Sequence, residues 1–168
     1  MAGAADVGAV HAAPAAGSTA AGDDVGGYIP SLLDNAIFVG HLVTDLEADG
    51  HQVTVLEAPK LDDLLDNDDA LLVCTSTTGQ GEVPANLLPF YLDLREQLPQ
   101  QPGRPFGVIV LGDSSYGDTF CGAGDLMEEA LYETGARKVG DTLRIDALET
   151  LEPEAEALPW VRNWINGI

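Results

Sequence analysis

Two stretches decide how this chain folds: residues 71–82, LLVCTSTTGQGE, and residues 107–122, GVIVLGDSSYGDTFCG. In each, an apolar run leads into a segment rich in Gly, Ser and Thr, and a helical pattern follows. Such an apolar run is typical of a strand that is buried on both faces of a parallel sheet. Neighbouring parallel strands present the loops that follow them at one sheet edge, where small residues let backbone N–H groups approach a flat polar ligand. The two stretches therefore predict an α/β protein with a ligand site at the carboxyl ends of its strands, and Tyr116 is a candidate to stack on that ligand.

Strand and helix patterns alternate on both sides of these stretches. Alternation of this kind indicates a parallel sheet with right-handed crossover connections. The first strand is the weakest of the set because two glycines interrupt it. The predicted strands are residues 25–29, 52–56, 70–75, 106–111 and 138–145, the predicted helices are residues 36–49, 86–98, 124–134 and 153–168, and residues 61–66 form an acidic connection that can be helical.

The length of 168 residues is expected to give one domain with a sizeable core. Residues 1–23 are mostly Ala and Gly without a helical or strand period, so we predict a disordered tail there and a single domain over residues 24–168. No apolar run approaches the roughly 18–20 residues that span a bilayer. The first residues also lack the positive segment of a secretory signal, and the predicted location is the cytoplasm.

The charge balance is strongly acidic, with 28 Asp plus Glu against 7 Lys plus Arg and a net charge of −21. A surface of this sign disfavours nucleic acids and anionic membranes as partners. Two interpretations remain compatible with it. One is a solvated acidic surface suited to high salt, since Lys60 and Lys138 are the only lysines. The other is an acidic face that steers a basic partner protein.

The two cysteines have no metal-ligand or CxxC spacing, and no catalytic residue or metal site is predicted. Cys74 lies in an apolar strand and is expected to be a small buried hydrophobic residue. Cys121 lies in the second loop, where it can be partly exposed.

The two loops resemble a known family. Residues 75–86, TSTTGQGEVPAN, resemble the flavodoxin loop of the form S-T-x-G-x-G-x-x-P-x-N. Residues 111–121, LGDSSYGDTFC, resemble the second FMN loop of MioC-type short flavodoxins and of the FMN domains of sulfite and cytochrome P-450 reductases. The resemblance covers about residues 28–168. It implies a flavodoxin-like three-layer sandwich with a five-stranded parallel sheet of order 2-1-3-4-5, and FMN as a non-covalently bound cofactor.

The positions that match the family's two loops imply which residues of this chain would contact the flavin. Tyr116 would stack on the ring, Thr78 stands where reductase domains often have an aromatic residue, and Asp146 matches a position near the site. Acidic residues beside the ring would disfavour a further negative charge on the reduced flavin, and Glu82, Asp113 and Asp118 are the candidates. The residues expected to line one side of the ring are Ser76, Thr77, Thr78, Gly79 and Gly81, and those expected on the other side are Leu111, Gly112, Asp113, Tyr116 and Phe120.

The phosphate loop matches the family less well. The family pattern, roughly S/T-x-T/S-G-N/T-A, opens the first helix, where hydroxyl and N–H groups hold the phosphate without Lys or Arg. In residues 31–36, SLLDNA, the matching positions are Ser31, Asn35 and Ala36, whereas Asp34 replaces the glycine and places a carboxylate beside a dianion. A rival segment is residues 17–22, GSTAAG, but it lies about a dozen residues too far from Gly50 without an insertion.

The resemblance implies a small one-electron carrier that passes electrons between a reductase and an acceptor protein docked near the flavin edge. An FMN-dependent NAD(P)H:quinone reductase is an alternative, as is a flavodoxin-like module that has lost FMN through Asp34. No Gly-rich nicotinamide-binding unit is visible, which favours an electron-transfer protein over a self-contained enzyme.

Overall fold

A computed structural model describes residues 6–12, 32–77 and 81–168, and strands and helices alternate along them. A short 3₁₀ helix at Ser114–Thr119 follows the fourth strand. In chain order the elements are β1 (Asp6–Ala12), α1 (Leu32–Ala48), β2 (Gln52–Leu56), α2 (Leu61–Leu65), β3 (Ala70–Ser76), α3 (Leu88–Gln97), β4 (Pro105–Gly112), α4 (Gly122–Glu133), β5 (Arg137–Lys138), β6 (Leu143–Asp146) and α5 (Pro153–Asn166).

The sheet is parallel, and its strand order is β2-β1-β3-β4, with both β5 and β6 paired to β4. The predicted last strand, residues 138–145, is therefore divided into two short strands that occupy one position in the sheet. Val139 still donates its N–H to the carbonyl oxygen of Phe106 over 2.9 Å, and Gly140 and Asp141 then carry the chain away from β4 until Leu143. Over the described residues the order along the sheet follows the prediction, with six strands where five were predicted.

The first strand lies where the sequence did not place it. Asp6–Ala12 form β1 in the middle of the sheet, with Val7 level with Val53 of β2 on one side and with Ala70 of β3 on the other. The prediction of a disordered tail over residues 1–23 is therefore wrong for Asp6–Ala12. Ala and Gly carry little strand preference, and this segment becomes a strand because hydrogen-bonding partners stand on both of its sides. The predicted strand at residues 25–29 lies outside the described residues.

Two apolar layers cover the sheet, because successive side chains of a strand point to opposite faces. Leu71 and Val73 of β3 pack with α2, α3 and α4 on one face. Leu72 and Cys74 pack with α1 and α5 on the other face. All seven residues of β3 are buried, as expected for a central parallel strand. The predicted three-layer α/β sandwich is confirmed.

Helix α3 begins at Leu88 rather than at the predicted residue 86, and Leu88 is 40% exposed. The inward residues are Leu87, Phe90 and Leu94, all at most 2% exposed. The amide N–H groups of Leu87 and Leu88 both donate to the carbonyl oxygen of Pro84, so a turn before the helix sets which face is buried. Among the residues described, no helix is long and apolar enough to cross a membrane.

Helix α5 packs tightly on β4. Trp160 and Trp164 stack with ring centroids 6.3 Å apart and ring planes 7° apart, and Trp164 is only 3% exposed. A Cβ atom on Gly107 would lie 2.4 Å from the indole Nε1 of Trp164. The indole therefore rests directly on the backbone of β4, and glycine is the residue that leaves room for it.

Candidate functional site

The two Gly/Ser/Thr-rich loops lie side by side at the carboxyl edge of the sheet. Ser76 at the end of β3 is level with Leu111 of β4, and the N–H of Thr77 donates to the carbonyl oxygen of Leu111 over 3.0 Å. Farther along the loops, a Cβ atom on Gly122 would lie 2.9 Å from the Cα of Gly81. The backbones of the two loops are thus in contact, which is the arrangement that the sequence predicted.

The first loop has a buried polar group without a partner. Ser76 is 3% exposed, and the hydroxyl Oγ1 of the half-buried Thr77 makes no hydrogen bond within the part of the chain that the structure describes. Gly81 has a φ of +93° and faces Thr119, so a side chain here would be strained. Two further predicted site residues, Thr78 and Gly79, lie outside the described residues.

The side chain of Asp113, the first residue of the second loop, holds this loop through hydrogen bonds. The Oδ1 atom of Asp113 accepts a hydrogen bond from the N–H of Ser115 over 2.8 Å, and the carbonyl oxygen of Asp113 accepts one from the N–H of Tyr116 over 3.1 Å. These bonds cap the 3₁₀ helix and fix the half-buried Tyr116. Asp113 is only 4% exposed, and its Oδ2 finds no partner among the described residues. An unpartnered carboxylate oxygen in so buried a place is expected to be satisfied by a water molecule or a ligand.

The wall behind the second loop is formed by Leu111, Gly112 and Phe120. Leu111 is buried at 3% exposure, and Phe120 is half-buried. A Cβ atom on Gly112 would lie 3.1 Å from the Cδ2 of Phe120 and 2.9 Å from the Sγ of Cys121. Only a glycine fits between these two side chains.

The carboxylate of Asp146, at the end of β6, links the segment that follows β6 to the second loop. Its Oδ1 accepts hydrogen bonds from the N–H of Ser114 over 3.2 Å and from the N–H of Leu148 over 3.0 Å. Desolvation opposes the charged form of Asp146, but hydrogen bonds from the Ser114 hydroxyl and from these two N–H groups hold its pKa below the ordinary value. Asp146 therefore reaches the predicted site through the backbone at Ser114.

The predicted phosphate residues are only partly described. Asn35 and Ala36 are the fourth and fifth residues of α1, which begins at Leu32. Ser31 and the rival segment, residues 17–22, lie outside the described residues. Residues 13–31, between β1 and α1, lie outside the described residues, so both phosphate-loop candidates remain predictions.

Both thiols are buried and protonated. Burial raises the pKa of Cys74 to about 12 and that of Cys121 to about 11. Cys121 is fully buried, so the partial exposure considered for it is wrong, and it packs against Gly112 with a φ of +58°. Within residues 6–12, 32–77 and 81–168, no group of three His, Cys, Asp or Glu side chains could hold a metal ion.

Gly122 joins the two loops, and it was not among the predicted site residues. The predicted helix begins at Gly124, whereas α4 begins at Gly122, whose backbone touches Gly81. The Gly-Ala-Gly sequence of residues 122–124 is the available signal, because closely spaced glycines at the start of a helix indicate a close backbone approach.

Comparison with known proteins gives a consistent result. The sequence profile of the flavodoxin family matches residues 40–160. The chain belongs to the flavodoxin family. Flavodoxin YqcA of Pectobacterium carotovorum is 42% identical over 142 residues, which cover 83% of this chain and 93% of that protein. Protein MioC of Escherichia coli K12 is 42% identical over 137 residues, covering 81% of this chain and 92% of that protein.

Solved flavodoxin structures have the same fold. A cysteine mutant of a Pseudomonas aeruginosa flavodoxin has a TM-score of 0.75 with 37% sequence identity, over 96% of this chain and 97% of that chain. Oxidised flavodoxin 1 of Bacillus cereus has a TM-score of 0.74 at 18% identity, which shows the likeness of the fold alone.

Flavodoxins are electron-transfer proteins that bind FMN, and the described residues fit this cofactor on two observations. Thr77 Oγ1 and Asp113 Oδ2 are buried polar atoms on adjacent loops that find no partner among the described residues. At Gly81 and Gly112, Thr119 and Phe120 lie where a side chain would stand, so glycine lets the backbone pack closely beside these atoms. Buried polar atoms on two closely packed loops suit a flat heterocycle with hydrogen-bonding edges.

Proposed function

We propose that this protein is a one-electron carrier that binds FMN between its two loops and passes electrons from a reductase to an acceptor protein. The observation that supports this most strongly is the packing of the two loops at one sheet edge: Thr77 donates to Leu111, two residues before Asp113, and the backbone of Gly122 touches that of Gly81. FMN supplies the redox chemistry when it is bound, and the protein supplies binding, orientation and electrostatics. The redox partners and the cytoplasmic location remain predictions from the sequence.

The residues have distinct proposed roles in this cleft. Tyr116 covers one face of the ring, because the Asp113 turn holds it half-buried at the rim. The buried carboxylate of Asp113 disfavours extra negative charge nearby, which lowers the potential for adding the second electron. The other contact residues proposed are Ser76, Thr77, Thr78, Gly79 and Gly81 on the first side, and Leu111, Gly112 and Phe120 on the second.

The decisive test is FMN titration with a matched pair of tyrosine variants. Tyr116→Ala should raise the FMN dissociation constant by roughly 5- to 150-fold, corresponding to about 1–3 kcal/mol for loss of an aromatic stacking contact. Tyr132→Ala is the control, because Tyr132 is 70% exposed on α4 and is not among the proposed contacts. Equal dissociation constants for the two variants would contradict the stacking role, and a wild-type protein that binds no FMN would contradict the function.

Binding of the FMN phosphate is tested by comparing the affinities for FMN and riboflavin. Ser31, Asn35 and Ala36 are proposed to hold the phosphate at the start of α1, where N–H groups and the helix dipole favour an anion. If this is correct, FMN binds at least about tenfold more tightly than riboflavin, which lacks the phosphate. Equal affinities would instead indicate that Asp34 has disabled the phosphate site.

Electrochemistry and turnover separate the carrier from an enzyme. A carrier should take up two electrons in two resolved one-electron steps and should oxidise NADPH slowly without a reductase. Fast turnover of NADPH with a quinone by the purified protein would favour a quinone reductase instead.

A further inference from the structure

We infer that Leu148 and Leu151, in the connection between β6 and α5, form a docking surface for a basic electron-transfer protein. This inference rests on the proposed carrier function, because it identifies the surface through which the carrier meets its partner. The surface is called the leucine platform below and comprises residues 147–152.

The two leucines are unusually exposed. Leu148 is 57% exposed and Leu151 is 92% exposed, and Leu151 is the most exposed large hydrophobic side chain in the described part of the chain. They are three residues apart in one short connection, and exposed apolar surface of this kind marks interaction sites on monomeric proteins. Burying them against a partner would remove apolar surface from water, which is the main driving force for association.

The leucine platform is held by a dense set of local hydrogen bonds. The carbonyl oxygen of Asp146 accepts bonds from the N–H groups of Glu149 over 3.0 Å and Thr150 over 3.1 Å. The hydroxyl of Thr150 accepts a bond from the N–H of Glu152 over 3.1 Å. A loop ordered in this way loses little conformational entropy on binding, so its exposed leucines suit a docking role.

The platform also adjoins the proposed flavin cleft. The N–H of Ala147 donates to the carbonyl oxygen of Gly112 over 2.8 Å. Asp146 accepts bonds from both Leu148 and Ser114, so one carboxylate joins the platform to the second loop. A protein seated on the leucines would therefore stand next to the cleft from which electrons leave.

The charge around the leucine platform indicates that its partner is basic. Between Arg144 and Arg162 the sequence has no Lys or Arg; Asp146 is buried, and the other carboxylates there are Glu149, Glu152, Glu154 and Glu156. The two flanking arginines are occupied, since Arg144 pairs with Asp125 and Arg162 bonds to Asp49 over 2.9 Å. A surface of carboxylates around two leucines fits a partner with apolar residues ringed by Lys and Arg. A second copy of this chain, with net charge −21, and an anionic membrane would both be repelled.

The test measures electron transfer to cytochrome c, a basic haem protein, as the probe partner. The FMN-loaded protein is reduced without oxygen and mixed with increasing cytochrome c, which gives an apparent dissociation constant and a limiting rate. The test variant is the double substitution L148S/L151S. The matched control is Leu65→Ser, because Leu65 is 53% exposed but ends α2, next to Leu64, whose carbonyl oxygen accepts a bond from Arg104 where β4 begins, at the other end of the strands. Ferricyanide, a small acceptor that needs no docking surface, reports whether electron transfer itself is intact.

Three results are expected together. L148S/L151S should raise the apparent dissociation constant for cytochrome c about tenfold or more, with the limiting rate and the ferricyanide rate within about twofold of wild type. Leu65→Ser should behave as wild type. E149Q/E152Q should weaken the dependence of association on salt, because fewer charges then attract the partner.

Several outcomes would overturn the docking surface. The first is a wild-type dissociation constant in L148S/L151S, and the second is an equal effect of Leu65→Ser. A wild-type dimer that L148S/L151S abolishes would make the platform a self-interface. A large fall in the melting temperature of L148S/L151S would show that the chain itself covers the leucines. A holoprotein that cannot reduce ferricyanide would refute the carrier function rather than the choice of surface.

Discussion

Gly122→Ala should open the contact between the two loops and weaken FMN binding. Gly122 is the first residue of α4, and its backbone lies against that of Gly81. An alanine Cβ at position 122 would stand 2.9 Å from the Cα of Gly81 and 3.0 Å from its carbonyl oxygen. Both of these atoms belong to the backbone, so no flexible side chain can move aside to accommodate the methyl group.

The expected loss of FMN affinity follows from this steric overlap. Ordinary carbon contacts lie at about 3.5–4.0 Å, so the loops must separate by roughly 0.5 Å or more. A gap of about 0.5–1 Å on one side of a ligand forfeits about a quarter to a half of its dispersion energy on that side. For a flavin-sized ring we take this as about 1–2 kcal/mol, which raises the FMN dissociation constant roughly 5- to 30-fold.

The assay compares two crowded glycines of the same helix. Gly124→Ala is the control, because its Cβ would lie 2.7 Å from Cγ1 of Val110, inside the core rather than between the loops. FMN is titrated by fluorescence quenching, and urea unfolding is followed for each apoprotein. We expect both variants to lose stability, and only Gly122→Ala to lose FMN affinity beyond that loss. An unchanged FMN dissociation constant in Gly122→Ala would refute the reasoning that loop contact forms the cleft.

Three further predictions concern stability. Gly107→Ala should lower the free energy of unfolding in urea by about 1–3 kcal/mol, because its Cβ would lie 2.4 Å from Nε1 of Trp164. Gly40→Ala, whose Cβ would have nothing within 4 Å, should raise it by up to about 1 kcal/mol. Asp146→Asn should lower the urea midpoint near neutral pH, and this deficit should shrink as the pH falls below about 3.9, the ordinary pKa of Asp. The reason is that a carboxylate with a lowered pKa stabilises the folded state above its unfolded pKa and loses this effect as the pH falls through the folded pKa; a deficit that stays constant with pH would contradict this. The melting temperature should rise with sodium chloride up to about 1 M, where the Debye length is about 3 Å, because salt screens the repulsion of a net charge of −21; a flat response would show that the repulsion is negligible.

The two loop stretches could be read from the sequence because their signals are local. Continuous apolar runs at β3 and β4 predicted buried parallel strands, and the Gly/Ser/Thr segments after them predicted a cleft at one sheet edge. The structure places Ser76 level with Leu111 and brings the loops into contact. Strand burial and turn chemistry are properties of neighbouring residues, so one sequence sufficed for them.

The tertiary structure decided what depends on residues far apart in the chain. Asp6–Ala12 are a central strand because β2 and β3 offer partners on both sides, although Ala and Gly gave no local sign of it. The contact between Gly81 and Gly122 joins segments about forty residues apart. The exposure of Leu151 likewise depends on which elements fail to cover it. Hydrogen-bond pairing, close backbone approach and burial arise between elements, and a pattern read along the chain carries no information on which elements meet.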